Sequence, residues 1–203
     1  MIRRATIAAL TLPLCAILAA AQDPQPAPPE PAAIFAESTA LFESGRMNEA
    51  IDGFMAVAKS PGAGELAPLS RFMQAKALAA SARFEDAIVI LDAFLKMAPD
   101  SPFAYEALML RGKSLVAASA VTPHFKEAAI SFSMALENEG ASPAERTAAR
   151  AALIDSLLRT GETEYPRDLV SHLSPGEFSD LAAFARSTGG TRVTDFMEGI
   201  AQK

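Results

Sequence analysis

Shifted by 37 positions, a large part of this sequence falls on itself. Phe35 lands on Phe72, Leu41 on Leu78, Ala50 on Ala87 and Ile51 on Ile88. One further shift lays Ala75 on Gly112, Lys76 on Lys113, Leu78 on Leu115 and Ala80 on Ala117. The stretch that follows carries a four-residue insertion around Pro123, after which Phe84 matches Phe125 and Ala87 matches Ala128. A unit of this length cannot bury its apolar face alone and does so against its neighbours, which is the construction of a solenoid. The chain is therefore expected to fold as stacked like units sharing one continuous core.

Those units read as helical. Pro61, Pro68, Pro99, Pro102, Pro123, Pro143, Pro166 and Pro175 are expected between apolar-periodic stretches, because proline lacks an amide donor and clashes with the turn before it. The segments so delimited are 33–44, 47–59, 66–81, 84–97, 101–119, 124–138, 143–160, 166–173, 175–187 and 191–202. None shows sustained alternation of period two, so all ten are expected to be helices. Composition agrees: Trp is absent and only two Tyr occur, while Ala and Leu, which lose little entropy in helices, abound. The fold class is all-α, a solenoid of helical hairpins over 33–173 with capping helices over 174–203.

The N-terminus reads differently. Arg3 and Arg4 precede an apolar stretch from Ala5 to Ala19, and Ala19-Ala20-Ala21 offers a small-residue cleavage site before Gln22. This is the pattern of a signal peptide over 1–21, and the stretch is short for a membrane span. Export to the periplasm or beyond is expected, with a retained N-terminal anchor as the alternative. Cys15, the only cysteine, follows Leu14 inside the apolar stretch, which argues against lipidation, and cleavage would leave no thiol for disulfides or metals. Residues 22–32 hold five of the fourteen prolines and read as an extended linker.

Charge and motif content narrow the function. Loss of Arg3 and Arg4 takes the formal net charge from -6 to -8, and an acidic chain without a basic cluster is unsuited to nucleic acid. His124 and His172 lack the neighbours that gather a metal, no Gly-rich phosphate loop follows a strand, and no Ser stands in a nucleophile-elbow context. No catalytic residues and no cofactor are expected.

At this point the residues resemble tetratricopeptide repeats. That pattern has a small residue in the first helix where the second packs closest, a turn, an early Ala in the second helix and a closing Pro. Ala75, Ala87 and Pro99 fill these places in one unit, with Arg83-Phe84-Glu85-Asp86 as its turn. Gly112, Ala128, Phe132 and Ala135 fill them in the next, and Gly45 to Ala50 match the turn and second-helix start of the first. A fourth unit over 143–173 keeps Gly161 in its turn but has a short second helix. The stretch from Ala93 to Ala104, with its Pro99-Asp100-Ser101-Pro102-Phe103-Ala104 link, is similar to repeats of periplasmic Tol–Pal-associated and outer-membrane-assembly proteins, which are envelope adaptors. The chain departs from them in lacking an N-terminal coiled coil or a lipidation motif.

The resemblance implies a protein or peptide partner bound along the first helices. Carrying the groove positions across gives Phe35, Thr39, Phe42 and Glu43 from the first unit, Phe72, Lys76 and Ala79 from the second, and Met109, Lys113 and Val116 from the third. Asp155 and Arg159 would continue the surface. Lys76 and Lys113 occupy equivalent positions and would flank an acidic group on one ligand; alternatively both are solvated and the aromatic residues pack between repeats. Val193, Phe196, Met197 and Ile200 form one apolar helical stripe, read as an end cap. Self-association through the second-helix side or this last helix, as a structural envelope component, is the alternative role.

Overall fold

The computed structural model describes residues 30–119 and 123–202. The signal segment and most of the proline-rich linker lie outside them. Among the described residues ten helices follow in order: α1 (Pro31–Glu43), α2 (Met47–Lys59), α3 (Leu66–Ala80), α4 (Phe84–Met97), α5 (Ala104–Ala118), α6 (Phe125–Leu136), α7 (Pro143–Arg159), α8 (Glu164–Ser171), α9 (Pro175–Ser187) and α10 (Thr191–Ala201). No strand occurs among the described residues. All ten expected helices are present, with ends within three residues of the sequence reading. Four of these eight prolines stand within the first turns of helices rather than between them: Pro68 and Pro166 inside α3 and α8, and Pro143 and Pro175 at the first positions of α7 and α9. That is tolerated because the first-turn amides have no intrahelical acceptor. Pro31 likewise starts α1 at its N1 position, so the helix takes the last residues of the expected linker.

Successive helices pack as antiparallel hairpins, α1 on α2, α3 on α4 and α5 on α6, and each hairpin packs on the next through α2–α3, α4–α5 and α6–α7. The repeat in sequence is a repeat in burial. Ala50, Ala87 and Ala128 are all wholly buried, as are Phe54 and Leu91, with Phe132 nearly so. Burying a side chain such as Phe54, Leu91 or Phe132 stabilises by roughly 1.5–3 kcal/mol each. Facing them in the first helices, Ser38 meets Gly53, Ala75 packs with Leu91 and Phe94, and Gly112 meets Phe132, so small side chains let each of these hairpins close. A Cβ on Gly112 would come within 2.8 Å of three Phe132 ring carbons, and one on Gly53 would run into the Ser38 hydroxyl.

The turns of the first two hairpins share one geometry. The amide of Arg46 donates to the Leu41 carbonyl and that of Arg83 to the Leu78 carbonyl, each at 2.9 Å. Between them stand Gly45 (φ 81°) and Ala82 (φ 57°), both left-handed. This is the helix-terminating motif in which a residue after the C-cap adopts a left-handed conformation. Arg46 then pairs with Glu49, and Arg83 with Asp86, at the start of the following helix.

The stack ends differently. α8 is only 8 residues long, and α9 packs on α7 while α10 packs on α9 and α7. Ala151 and Ile154 of α7 join Leu181, Ala182, Ala185, Val193 and Met197 in one buried cluster. α9 and α10 thus cover the apolar face that a further hairpin would otherwise take. Both α7 and α9 open on capping boxes, Ser142 with Glu145 and Ser174 with Glu177.

Candidate peptide-binding trough

The first helices α1, α3 and α5 neighbour one another directly, and an open depression of about 410 Å³ lies along α3, α5 and α7. Its walls include Phe72 and Lys76 from α3, Met109 and Lys113 from α5, and Ala148 from α7. Helical spacing explains the set: Phe72 and Lys76 are one turn apart on α3, as Met109 and Lys113 are on α5, so each helix presents an apolar residue with a cation beside it. Phe72 is buried and its ring lies 5.4 Å from Phe103, stacked, and 5.7 Å from Phe94. The Lys76 ammonium stands 5.6 Å above the Phe72 ring centroid, an arrangement that attracts the cation to the ring face. Lys76 and Lys113 are both exposed, and neither forms an ion pair among the described residues.

Tyr105 closes one side. Its hydroxyl donates to the Glu145 carbonyl at 2.8 Å, tying α5 to the first turn of α7. Burial, with the nearby Glu145 and Glu106 carboxylates, pushes its pKa up to about 12, so it is a neutral, structural donor at ordinary pH. Glu106 is the one acidic side chain on this depression among the described residues.

A second depression of about 300 Å³ continues the first, sharing Met109, Lys113 and Ala148 and running on over Ala152 and Asp155 to Phe184 and Val193. Here the end-capping hairpin closes the trough. Asp155 accepts from Arg159 at 2.6 Å and from Arg192 of α10 at 3.0 Å, and Arg159 also lies 5.4 Å from the Phe125 ring centroid. Asp155 is thereby neutralised locally. Among the described residues this leaves Lys76 and Lys113, with Glu106, as the unpaired charges of the trough.

The structure brings four of the expected residues, Phe72, Lys76, Met109 and Lys113, around one trough. Asp155 lies on the continuation of that trough, and the other expected residues line neither depression. Phe35 packs edge-on against Phe54 at 5.6 Å, Thr39 donates its hydroxyl to the Phe35 carbonyl, and Phe42 packs against the buried group of Ile51, Leu78 and Ala87. Val116 packs against the core around Leu115 and Phe132. Phe103, Tyr105, Leu110 and Ala148 are trough residues the sequence reading missed. His124, at the start of α6, and His172, exposed at the end of α8, stand apart from the trough. Among the described residues no cluster of His, Cys, Asp and Glu is placed to hold a metal ion, and no helix is long and apolar enough to cross a membrane.

No protein-family model matches the sequence, and no curated protein matches it either. Solved structures do. A putative kinesin light chain from Podosopora anserina, described as nearly identical TPR-like repeats, superposes in a singly substituted form with a TM-score of 0.56 at 13% identity, covering 86% of this chain and 96% of that one. A second structure of that protein gives 0.55 at 12% identity, covering 84% and 94%. At such identities the likeness is one of fold. The fold is tetratricopeptide-like. Neither neighbour is described as one of the periplasmic adaptors that the Ala93–Ala104 stretch resembles.

Proposed function

We propose that this chain is an exported, non-catalytic adaptor whose trough along α3, α5 and α7 takes a peptide segment carrying apolar anchors and an acidic group. One observation carries the reading: two exposed ammonium groups, Lys76 and Lys113, flank a single apolar depression floored by Phe72, Phe103 and Met109. Apolar side chains of the ligand would displace water from the floor. A carboxylate held between two amines would fix its register through charge-assisted hydrogen bonds. Residence in the cell envelope rests on the Arg3-Arg4 start, the apolar run to Ala19 and the Ala19–Ala21 cleavage pattern.

The test uses an array of eight-residue peptides with Leu anchors and acidic C-termini, each as free acid and as amide. Binding is read for the native protein and for Lys76→Glu with Lys113→Glu, with far-UV circular dichroism as the fold control. The charge-reversed protein is expected to lose about tenfold in affinity, or roughly 1.4 kcal/mol, and the amides to bind it and the native protein alike. Equal preference for acids over amides in both proteins would defeat the reading. Crosslinking and pull-down from the native envelope then identifies the partner.

A further inference from the structure

The large apolar side chains left in water are not scattered. Of the five among the described residues, four lie on two second helices: Val89 (66% exposed) and Met97 on α4, and Ile130 (58%) and Met134 (52%) on α6. The two helices are held in register by Arg111 of α5, which donates to Asp92 of α4 at 2.5 Å and to Ser131 of α6 at 2.6 Å. This face belongs to the second helices, whereas the trough belongs to the first helices.

The charges around the patch identify what covers it. On α6 the exposed residues Lys126, Ile130, Met134 and Glu137 follow steps of four, four and three, which keeps them within a sector of about 80° on a helix of 3.6 residues per turn. The stripe is a cation, two apolar residues and an anion. Turned end for end, it complements itself: Lys126 meets Glu137 of a second copy while Ile130 meets Met134, and both pairings are centred at the height of Phe132. Neither Lys126 nor Glu137 has an ion-pair partner among the described residues. The helix dipole sharpens the point. Lys126 lies in the first turn of α6 and Glu137 at its C-cap, each at the end where its charge is disfavoured. An antiparallel copy sets each beside the opposite terminus of its partner, where the same charge is favoured.

The neighbouring helix obeys the same rotation. A two-fold axis crossing α6 at right angles, within the plane of contact, leaves α4 facing α4 of the second copy. There the exposed stripe is Glu85, Val89, Ala93 and Lys96, with opposite charges at its ends in the reverse order, anion first, so this pairing rests on charge and apolar contact and not on the helix dipole. We infer that the α4–α6 face is a docking surface for a second copy of this chain, paired antiparallel about a two-fold axis through the middle of α6. Two helices 12–14 residues long offer a contact of about 400 Å² per copy, taking each as ~1.5 Å per residue by ~10 Å wide. That is about half the ~800 Å² per partner of a standard interface, so the dimer is weak and forms in the micromolar range or above.

Sedimentation equilibrium of the full chain from about 1 to several hundred micromolar (order-of-magnitude limits set by that weak interface) is the experiment. The native protein is expected to shift from monomer to dimer, and Ile130→Asp to stay monomeric. Lys126→Glu and Glu137→Lys, each alone, place like charges together across the axis and should raise the dissociation constant about five- to tenfold, a size set by exposed ion pairs that turn repulsive. The double variant K126E/E137K restores both pairings and should return to within about twofold of the native value, since distant sites are otherwise unchanged. A native chain monomeric throughout would overturn the proposal. So would a double variant as weak as its singles, because that result places the partner of Lys126 elsewhere.

Discussion

Gly112 is where the close approach of two helices can be measured directly. Glycine inside an exposed helix costs about 0.5–1 kcal/mol relative to alanine, so Gly112→Ala would stabilise α5 if nothing opposed it. The Phe132 ring opposes it: three of its carbons lie within 2.8 Å of the new methyl, and Phe132 is only 2% exposed. Overpacking of this kind costs about 1–3 kcal/mol, so a net loss of about 0.5–2 kcal/mol is expected. For a chain of this size that is a fall in Tm of roughly 1–8 °C, at ~2–4 °C per kcal/mol. Calorimetry or thermal circular dichroism reads it. The control is a double-mutant cycle with Phe132→Ala, which alone costs about 3–5 kcal/mol. In that background Gly112→Ala should cease to cost and return the helix-propensity gain, giving a coupling of about 1–3 kcal/mol for residues in contact. A neutral or stabilising Gly112→Ala in the native background, or additivity in the cycle, would refute the close-packing account.

Ala82 holds a left-handed backbone in the turn where Gly45 stands one repeat earlier. Because an L-residue pays about 1–2 kcal/mol for that conformation and glycine loses ~0.5–1 kcal/mol of chain entropy, Ala82→Gly should raise stability modestly in chemical denaturation. The Tyr105 phenol, with its folded pKa of about 12 against 10 unfolded, contributes stability that is intact below pH 10 and is lost as the pH rises towards 12. Denaturation midpoints between about pH 9 and 12, compared with Tyr105→Phe, should show the variant flatter across that window. Ser142→Ala removes the N-cap of α7 and should cost about 0.5–2 kcal/mol. The Glu145 and Glu177 carboxyls, held below their usual range by hydrogen bonds from Ser142 and Ser174, add stability present above the ordinary carboxylate pKa and lost as the pH falls through their lowered values. Acid titration of Ser142→Ala with Ser174→Ala should therefore be shallower than that of the native chain. Deleting residues 189–203 uncovers Leu181 and Ala185, which pack with Val193 and Met197, and the shortened chain should bind a hydrophobic dye and aggregate.

Helix positions were legible because apolar spacing and proline placement are local signals, and ten helices follow from them. The trough was legible only where a residue recurs. Lys76 and Lys113 occupy one place in successive units, and equivalent places in stacked hairpins are neighbours in space. Phe103 and Tyr105 escaped notice because Phe103 stands in a connection outside the repeated positions and Tyr105 shows its role only through a carbonyl 40 residues away. Phe35 illustrates the opposite case. It repeats as Phe72, but Phe72 stacks on Phe103 from the unit that follows, while Phe35 turns onto Phe54 of its own hairpin. Phe42 and Val116 pack against buried clusters, and a period of 3.6 locates an apolar stripe without saying which of two adjoining faces meets a neighbour.

The seating of α9 and α10 on α7 also bounds the length of ligand that the proposed trough would read. With a wall at that end, an elongated guest would extend toward α1. From α3 to α7 the corridor spans two helix-to-helix intervals, about 20 Å at ~10 Å each. That is space for some six residues of extended chain at ~3.3 Å apiece, a span closer to a terminal tag than to a folded domain.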